Sequence, residues 1–296
     1  MPKIAIMTDS NSGITQAEGK ELGIKVLPMP FTVGGQDYYE DINLNQEQFY
    51  EFLERDLDVQ TSQPSPAVVT DTFKQLLEEY DQVIHIPMSS GLSGSCQTAL
   101  MLADEPEFEG KVFVIDNQRI SVTQRQSVLD ALAMAQKGLD GSQIAEKLME
   151  DKFNSSIYIM MDTLTYLKKG GRITPAAAAV GTLLKIKPVL TIQGEKLDAF
   201  AKARTPMLGK KIMIDAMKKD IEQRFGGLDE NACKRVTLQI AYTKDYDKAQ
   251  EFCNQVMEAF PGFEKPVIMP LSLSVACHIG PGALAIACTQ DLFPNL

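Results

Sequence analysis

Three stretches of the chain concentrate hydroxyl and amide side chains at short spacing. They are Thr8-Asp9-Ser10-Asn11-Ser12, Thr61-Ser62-Gln63-Pro64-Ser65-Pro66 and Ser89-Ser90-Gly91-Leu92-Ser93-Gly94-Ser95. Such groups donate to an anion without enclosing a fixed opposite charge. Each stretch taken singly also reads as ordinary turn and cap chemistry. The first and third follow short apolar runs, and the third opens a helical pattern. In doubly wound sheets ligands bind beyond the carboxyl ends of strands, where a helix N-terminus favours an anion. A fourth stretch, Tyr166-Leu167-Lys168-Lys169-Gly170-Gly171-Arg172, places two glycines among three cations and suggests a turn presenting positive charge. The small residues at 176–180 leave room for close packing or an apolar ligand. His278, beside Ile279-Gly280-Pro281-Gly282, is a candidate further donor, whereas His85 lies inside an apolar run and reads as structural.

Other chemistries find no residues. Two His in 296 residues, with no H-E-x-x-H and no Cys/His cluster, argue against a zinc site. No P-loop pattern is present, so no nucleotide or metal cofactor is expected. Gly280-Pro281-Gly282-Ala283-Leu284-Ala285 matches G-x-G-x-x-A, but too little chain follows for a dinucleotide-binding βαβ unit. Gly91-Leu92-Ser93-Gly94-Ser95 resembles a nucleophile elbow, yet ends in Ser and would need His85 or His278 as base. Five Cys without a C-x-x-C pair read as reduced thiols of a cytoplasmic protein. The 29 Lys+Arg against 39 Asp+Glu give a net charge of −10, which argues against nucleic acid. An acid at Asp9 precedes any signal-peptide core. Residues 266–290 lack Asp, Glu, Lys and Arg, but prolines and glycines interrupt them, so they read as soluble-domain interior.

The elements that must position these loops alternate. Strands are expected at 3–8, 25–32, 83–88 and 112–116, and helices at 46–55, 68–80, 94–103 and 121–136. Asn45 and Gln48 offer a capping box. This order implies a mostly parallel sheet covered by helices. A helical linker at 138–151 leads to a second set: strands at 157–161, 188–193, 196–201, 235–242 and 267–271. Helices are expected there at 176–184, 206–225 and 246–260, with Pro206 in a first turn. A turn at Gly194-Glu195 joins the strand pair. The domain boundary falls near 153, giving domains 1–153 and 154–296.

Together these segments resemble the DegV family, which includes the fatty-acid-binding subunits of bacterial fatty acid kinase. The matching pieces are Thr8-Asp9-Ser10, the Thr61–Pro66 and Ser89–Gly94 stretches, Val114-Ile115-Asp116, Tyr166 to Ile173, Ile186-Lys187-Pro188-Val189-Leu190, and His278 to Ala283. They stand in the family's order over nearly the whole chain. The resemblance implies a two-domain α/β fold, with an N-terminal parallel, Rossmann-like three-layer domain and a C-terminal domain with a mixed sheet. It implies a long-chain fatty acid in a buried tunnel between the domains. Thr61 and Ser93 would hold the carboxylate, His278 would extend the network, and Ser62, Gly94 and Arg172 would support the head group or a phosphate. Lys168, Lys169 and Arg204 would offer a surface to a partner kinase subunit that supplies ATP. The chain would then be a carrier, not a complete enzyme, feeding acyl phosphate to phospholipid synthesis. Two departures bear on tail-pocket width: residues 117–126 contain no Gly, and Ala276-Cys277 precede His278.

Residues 164–219 carry 12 Lys+Arg and 3 Asp+Glu, a local +9 in an acidic chain. This suits an anionic ligand, a nucleotide-loaded kinase or transient contact with an anionic membrane surface. Two further readings remain open: a stand-alone enzyme acting on a small phosphorylated substrate at the Ser93 loop, and a lipid sensor without a kinase role.

Overall fold

The computed structural model describes residues 1–172, 174–175, 186–193 and 196–292, with only the backbone of Lys169, Gly170, Asn231 and Ala232. The helix expected at 176–184 and the turn at Gly194-Glu195 lie outside the described residues. The chain packs as two units. The first is Met1–Lys152 with Ser272–Ser274; the second is Phe153–Leu271 with the described residues that follow Ser274.

In the first unit, β1 (Ile4–Asp9), β2 (Ile24–Leu27), β6 (Gln82–Ile86) and β7 (Val112–Val114) form a fully parallel sheet in the order β2-β1-β6-β7. Their apolar residues are buried on both faces, as strands sandwiched by helices require. On one face Met7, Val83 and Val112 pack with Phe73 of α3 (Pro66–Leu77). The other face carries Thr8 and Phe113. Gln124 of α5 (Ser121–Gln136) bonds Thr8, and the start of α6 (Gly141–Glu150) lies against Phe113. The unit is therefore three-layered. The unit's remaining helices are α1 (Gln16–Leu22), α2 (Gln46–Glu54) and α4 (Ser95–Ala103). Asn45 and Gln48 form the expected capping box on α2.

The single strand expected at 25–32 is two. Pro28 and Pro30 lack the N–H a ladder needs, so β2 ends at Leu27 and β3 (Pro30–Val33) joins a separate sheet. That sheet has the order β4-β3-β5, with β4 (Gln36–Tyr39) and β5 (Val59–Thr61) both antiparallel to β3. Gly34 and Gly35, at φ 58 and 85, turn β3 into β4. Two successive left-handed residues make the hairpin turn that suits strand twist.

The second unit holds a mixed six-stranded sheet, β10-β9-β8-β13-β11-β12. Its strands are β8 (Ser155–Met160), β9 (Lys187–Ile192), β10 (Asp198–Ala203), β11 (Val236–Tyr242), β12 (Val267–Pro270) and β13 (Leu284–Gln290). Only β11 and β12 pair in parallel. Tyr158, Met160, Leu238, Ile240, Leu284 and Ile286 point to one face and form a core with α8 (Pro206–Arg224) and α9 (Tyr246–Ala259). Pro206 stands in the first turn of α8, capped by Thr205. The uncharged stretch 266–290 resolves into β12, a short helix α10 (Leu273–Ile279) and the central strand β13. No helix among the described residues is long and apolar enough to cross a membrane.

Candidate functional site

The Ser89–Gly94 loop leaves the carboxyl end of β6 and is held by polar groups at the end of β1, after β7 and before α5. Asp9, at the end of β1, accepts from the Met88 N–H at 2.8 Å through Oδ2. Its Oδ1 accepts from the Asn11 N–H and from Gln124 Nε2. Asp116, beyond β7, accepts from the Ser90 N–H at 3.2 Å, and the Arg119 carbonyl accepts from the Ser89 N–H at 3.0 Å. Arg119 is itself buried and paired with Asp151 at 2.6 Å. The gly-free segment 117–126 therefore carries the floor of this loop. It contains two left-handed non-glycine residues, Gln118 at φ 57 and Ser121 at φ 55.

The loop reverses through bonds from the Leu92 and Ser93 N–H groups to the Ser89 carbonyl. Ser93 is half-buried; its Oγ accepts from the Ser95 N–H at 3.2 Å and lies 2.9 Å from Ser95 Oγ. Gly94 stands at the N-terminus of α4 and offers no side-chain cap. The Thr61 loop is tied to this point by Gln63. Its Nε2 donates to Thr98 Oγ1 at 3.0 Å, one turn into α4, and its Oε1 lies 3.0 Å from where a Gly94 Cβ would sit. Thr61 ends β5, half-buried, and the Ser62 N–H bonds the Pro30 carbonyl. Thr61, Ser62, Ser93 and Gly94 thus belong to two loops pinned side by side. Burial raises Asp9 above the usual carboxylate range despite its donors, and pushes the Cys96 thiol up to about 12 with help from Asp116 and Asp9.

The second group of expected residues is built differently. Tyr166 and Lys168 lie on α7 (Thr165–Gly170), so the expected turn is a short helix that ends where Gly171 takes φ 68. Lysines in a last turn suit the helix C-terminus. Arg172 follows, half-buried. Gly280 and Gly282, at φ 80 and 83, let the backbone after α10 press on this segment. A Cβ on Gly280 would sit 2.3 Å from the Tyr166 ring, and one on Gly282 2.6 Å from an Asp162 oxygen. These glycines precede strand β13, whereas dinucleotide-fingerprint glycines open a helix. Burial lowers His278 to about 4, and the nearby Arg172 charge adds to the effect. The ring is therefore neutral at physiological pH. Lys168 and Arg204 are exposed and make no ion pair among the described residues. Lys187, Lys210 and Lys211 pair with Asp162, Glu251 and Asp215, which reduces the local excess of positive charge. The side chain of Lys169 lies outside the described residues.

His85 is buried in β6 against Phe73, with neither ring nitrogen hydrogen-bonded among the described residues. No group of three or more His, Cys, Asp or Glu among the described residues could hold a metal. Within the first unit the Thr61 and Ser93 loops offer neutral hydroxyl and amide donors, a chemistry suited to a carboxylate or phosphate.

The model of the DegV family, described as an uncharacterised protein family, matches residues 3–291. The chain belongs to the DegV family. A DegV domain-containing protein of Listeria monocytogenes is 30% identical over 96% of this chain and 97% of its own. One from Staphylococcus aureus is 28% identical over 97% and 98%. A DegV family protein from Thermus thermophilus, whose structure is described by its fatty acid binding, superposes with TM-score 0.87 at 28% identity over 97% of this chain and 99% of its own. A fatty acid binding DegV family protein from Streptococcus agalactiae gives TM-score 0.86 at 27% identity over 98% and 99%. Several residues that hold these loops escape a reading of motifs. Gln124, Arg119, Asp162 and Glu40 act through contacts far apart in sequence, and nothing local distinguishes them from surface polar residues. The signal available for Gly280 and Gly282 was their type, which marks left-handed backbone and close approach.

Proposed function

We propose that this chain binds a long-chain fatty acid and presents its carboxylate to a separate ATP-dependent kinase, which forms the acyl phosphate for phospholipid synthesis. Thr61 and Ser93 receive the carboxylate, and His278 extends the network. Ser62, Gly94 and Arg172 support the head group or the incoming phosphate, while Lys168, Lys169 and Arg204 face the kinase or, transiently, an anionic membrane. The carrier works in the cytoplasm and needs no cofactor of its own. The observation that carries this reading is the side-by-side fixing of the Thr61 and Ser93 loops by Gln63. The fatty acid binding of the Thermus and Streptococcus relatives adds weight.

The energetics are consistent. A carboxylate leaving water needs donors in place of its hydration, and neutral hydroxyls supply them without burying a second charge. The tail supplies affinity: about fourteen methylenes at ~0.8 kcal/mol each give about 11 kcal/mol before ordering costs.

Native mass spectrometry of the purified protein tests the reading. A co-purified or added long-chain fatty acid is expected at one per chain, and its absence under both conditions defeats the proposal. Thr61→Ala with Ser93→Ala removes two bonds to a charged group, so affinity is expected to fall at least tenfold with circular dichroism unchanged. Unaltered affinity in that double variant removes these residues from the site.

A further inference from the structure

The hydroxyl-rich loop after β1 has a member that the Ser89 loop does not use. Asn11 is fully buried, and its Oδ1 accepts from Ser272 Oγ at 3.4 Å and from Ser274 Oγ. Between those serines, the Leu273 N–H donates to Glu40 Oε1 at 2.8 Å. Glu40, just beyond β4, is 7% exposed. Two buried side chains, more than two hundred residues away in sequence, therefore hold the first turn of α10. Asn11 Nδ2 and Glu40 Oε2 have no hydrogen-bond partner among the described residues. Leaving buried polar atoms unpaired is costly, and both side chains bear that cost while holding the start of α10.

The attachment reaches the ligand-binding end of the helix. α10 runs from Leu273 to Ile279 and carries His278 in its last turn. Five residues of helix span about 7.5 Å, and so short a rigid rod transmits a shift of its first turn to its last. We propose that Glu40 and Asn11 are positioning residues for His278, acting through the start of α10. The contribution of His278 to ligand binding rests on the function proposed above; the positioning does not.

The carboxyl of Glu40 gives the device a titratable part. Burial pushes it up to about 8; the Asp41 charge adds to this, and the Leu273 amide and Ser10 hydroxyl oppose it. Asp41 is the charged neighbour acting on it, while β1's loop and α10 present neutral groups, Ser10, Asn11, Leu273 and Ser274. The neutral acid suits its buried site, and ionising it without a cation nearby strains the contact.

Palmitate binding to the full chain is measured from about pH 6.5 to about pH 9.5 for wild type, Glu40→Gln and Glu40→Ala. The His278 ring resonances of the ligand-free proteins are followed over the same range. Wild type is expected to lose up to about tenfold in affinity per pH unit above the Glu40 midpoint, with His278 resonances moving at the same midpoint. Glu40→Gln keeps the acceptor and cannot ionise, so both changes vanish; Glu40→Ala binds about tenfold more weakly throughout. A step due to the adjacent Cys277 thiol would persist in Glu40→Gln. An unchanged alkaline loss in Glu40→Gln, or wild-type affinity in Glu40→Ala, overturns the proposal. If wild type binds no palmitate at any pH, the fatty-acid reading falls, and the His278 resonances alone decide the positioning: a step abolished in Glu40→Gln upholds it, and no step overturns it.

Discussion

The Thr61 and Ser93 loops and the His278 loop are held in place by opposite means. The first pair is fixed by long-range hydrogen bonds that Asp9, Asp116 and the Arg119 carbonyl accept and by one that Gln63 donates. The second has a polar attachment at the start of α10, but its end after His278 is fixed by contact, through glycines that bring backbone against Tyr166 and Asp162. Hydrogen-bonded loops tolerate small changes of shape but fail when a buried polar partner is removed. Sterically fixed loops need no polar partner but tolerate no added atom. Sequence change at the two regions should therefore follow different rules.

Removing a buried charge partner is the strongest way to break the first region. Arg119 and Asp151 are each 1% exposed at the side chain, and Arg119 carries the carbonyl that holds Ser89. Asp151→Ala is expected to cost about 3–5 kcal/mol in denaturant unfolding, and replacing both partners by apolar residues should recover most of that. The comparison sharpens with one methyl group placed in each region. At Gly280 it meets both a left-handed backbone and the Tyr166 ring, so Gly280→Ala should cost about 2–4 kcal/mol. At Gly94 the backbone has φ −69 and the neighbour is the flexible end of Gln63, so Gly94→Ala should cost less than about 1 kcal/mol. Equal losses at the two glycines would end the distinction.

The same contrast explains what could be read from the chain. Alternating apolar runs and caps foretell β1, β6, β7 and α2, because those strands are covered on both faces and α2 carries a local capping signal. Of the three hydroxyl-rich loops, those after β1 and β6 stand out because strand ends in a parallel sheet are where ligands gather. The exposed strand β4 and the three-residue strand β5 leave no apolar run to find. Glu40 was invisible for a different reason. It sits among Tyr38, Tyr39, Asp41 and Asn43 like any surface acid, and only its bond to Leu273 gives it a role. Residues recruited by tertiary contact leave no periodic trace.

The two histidines offer the gentlest test, one in each unit. Burial lowers His85 to about 3, and burial with the Arg172 charge lowers His278 to about 4. Both folded values lie below the ordinary histidine value, so the folded chain binds fewer protons than the unfolded chain in acid. The stability they protect is complete above pH 6.5 and is lost as pH falls, by about 1.4 kcal/mol per unit for His85. His85→Phe, which suits the apolar strand, should remove that share of the acid loss. Ligand should separate the pair. A carboxylate near His278 offsets the Arg172 charge and favours the protonated ring, so palmitate should raise the His278 midpoint and leave His85 unmoved. Arg172→Gln should raise the His278 midpoint without ligand. Ring resonances followed from neutral pH into acid read both midpoints at once. Equal movement of the two, or of neither, would mean that the anion does not come near His278, and that the glycine-held loop serves the fold alone.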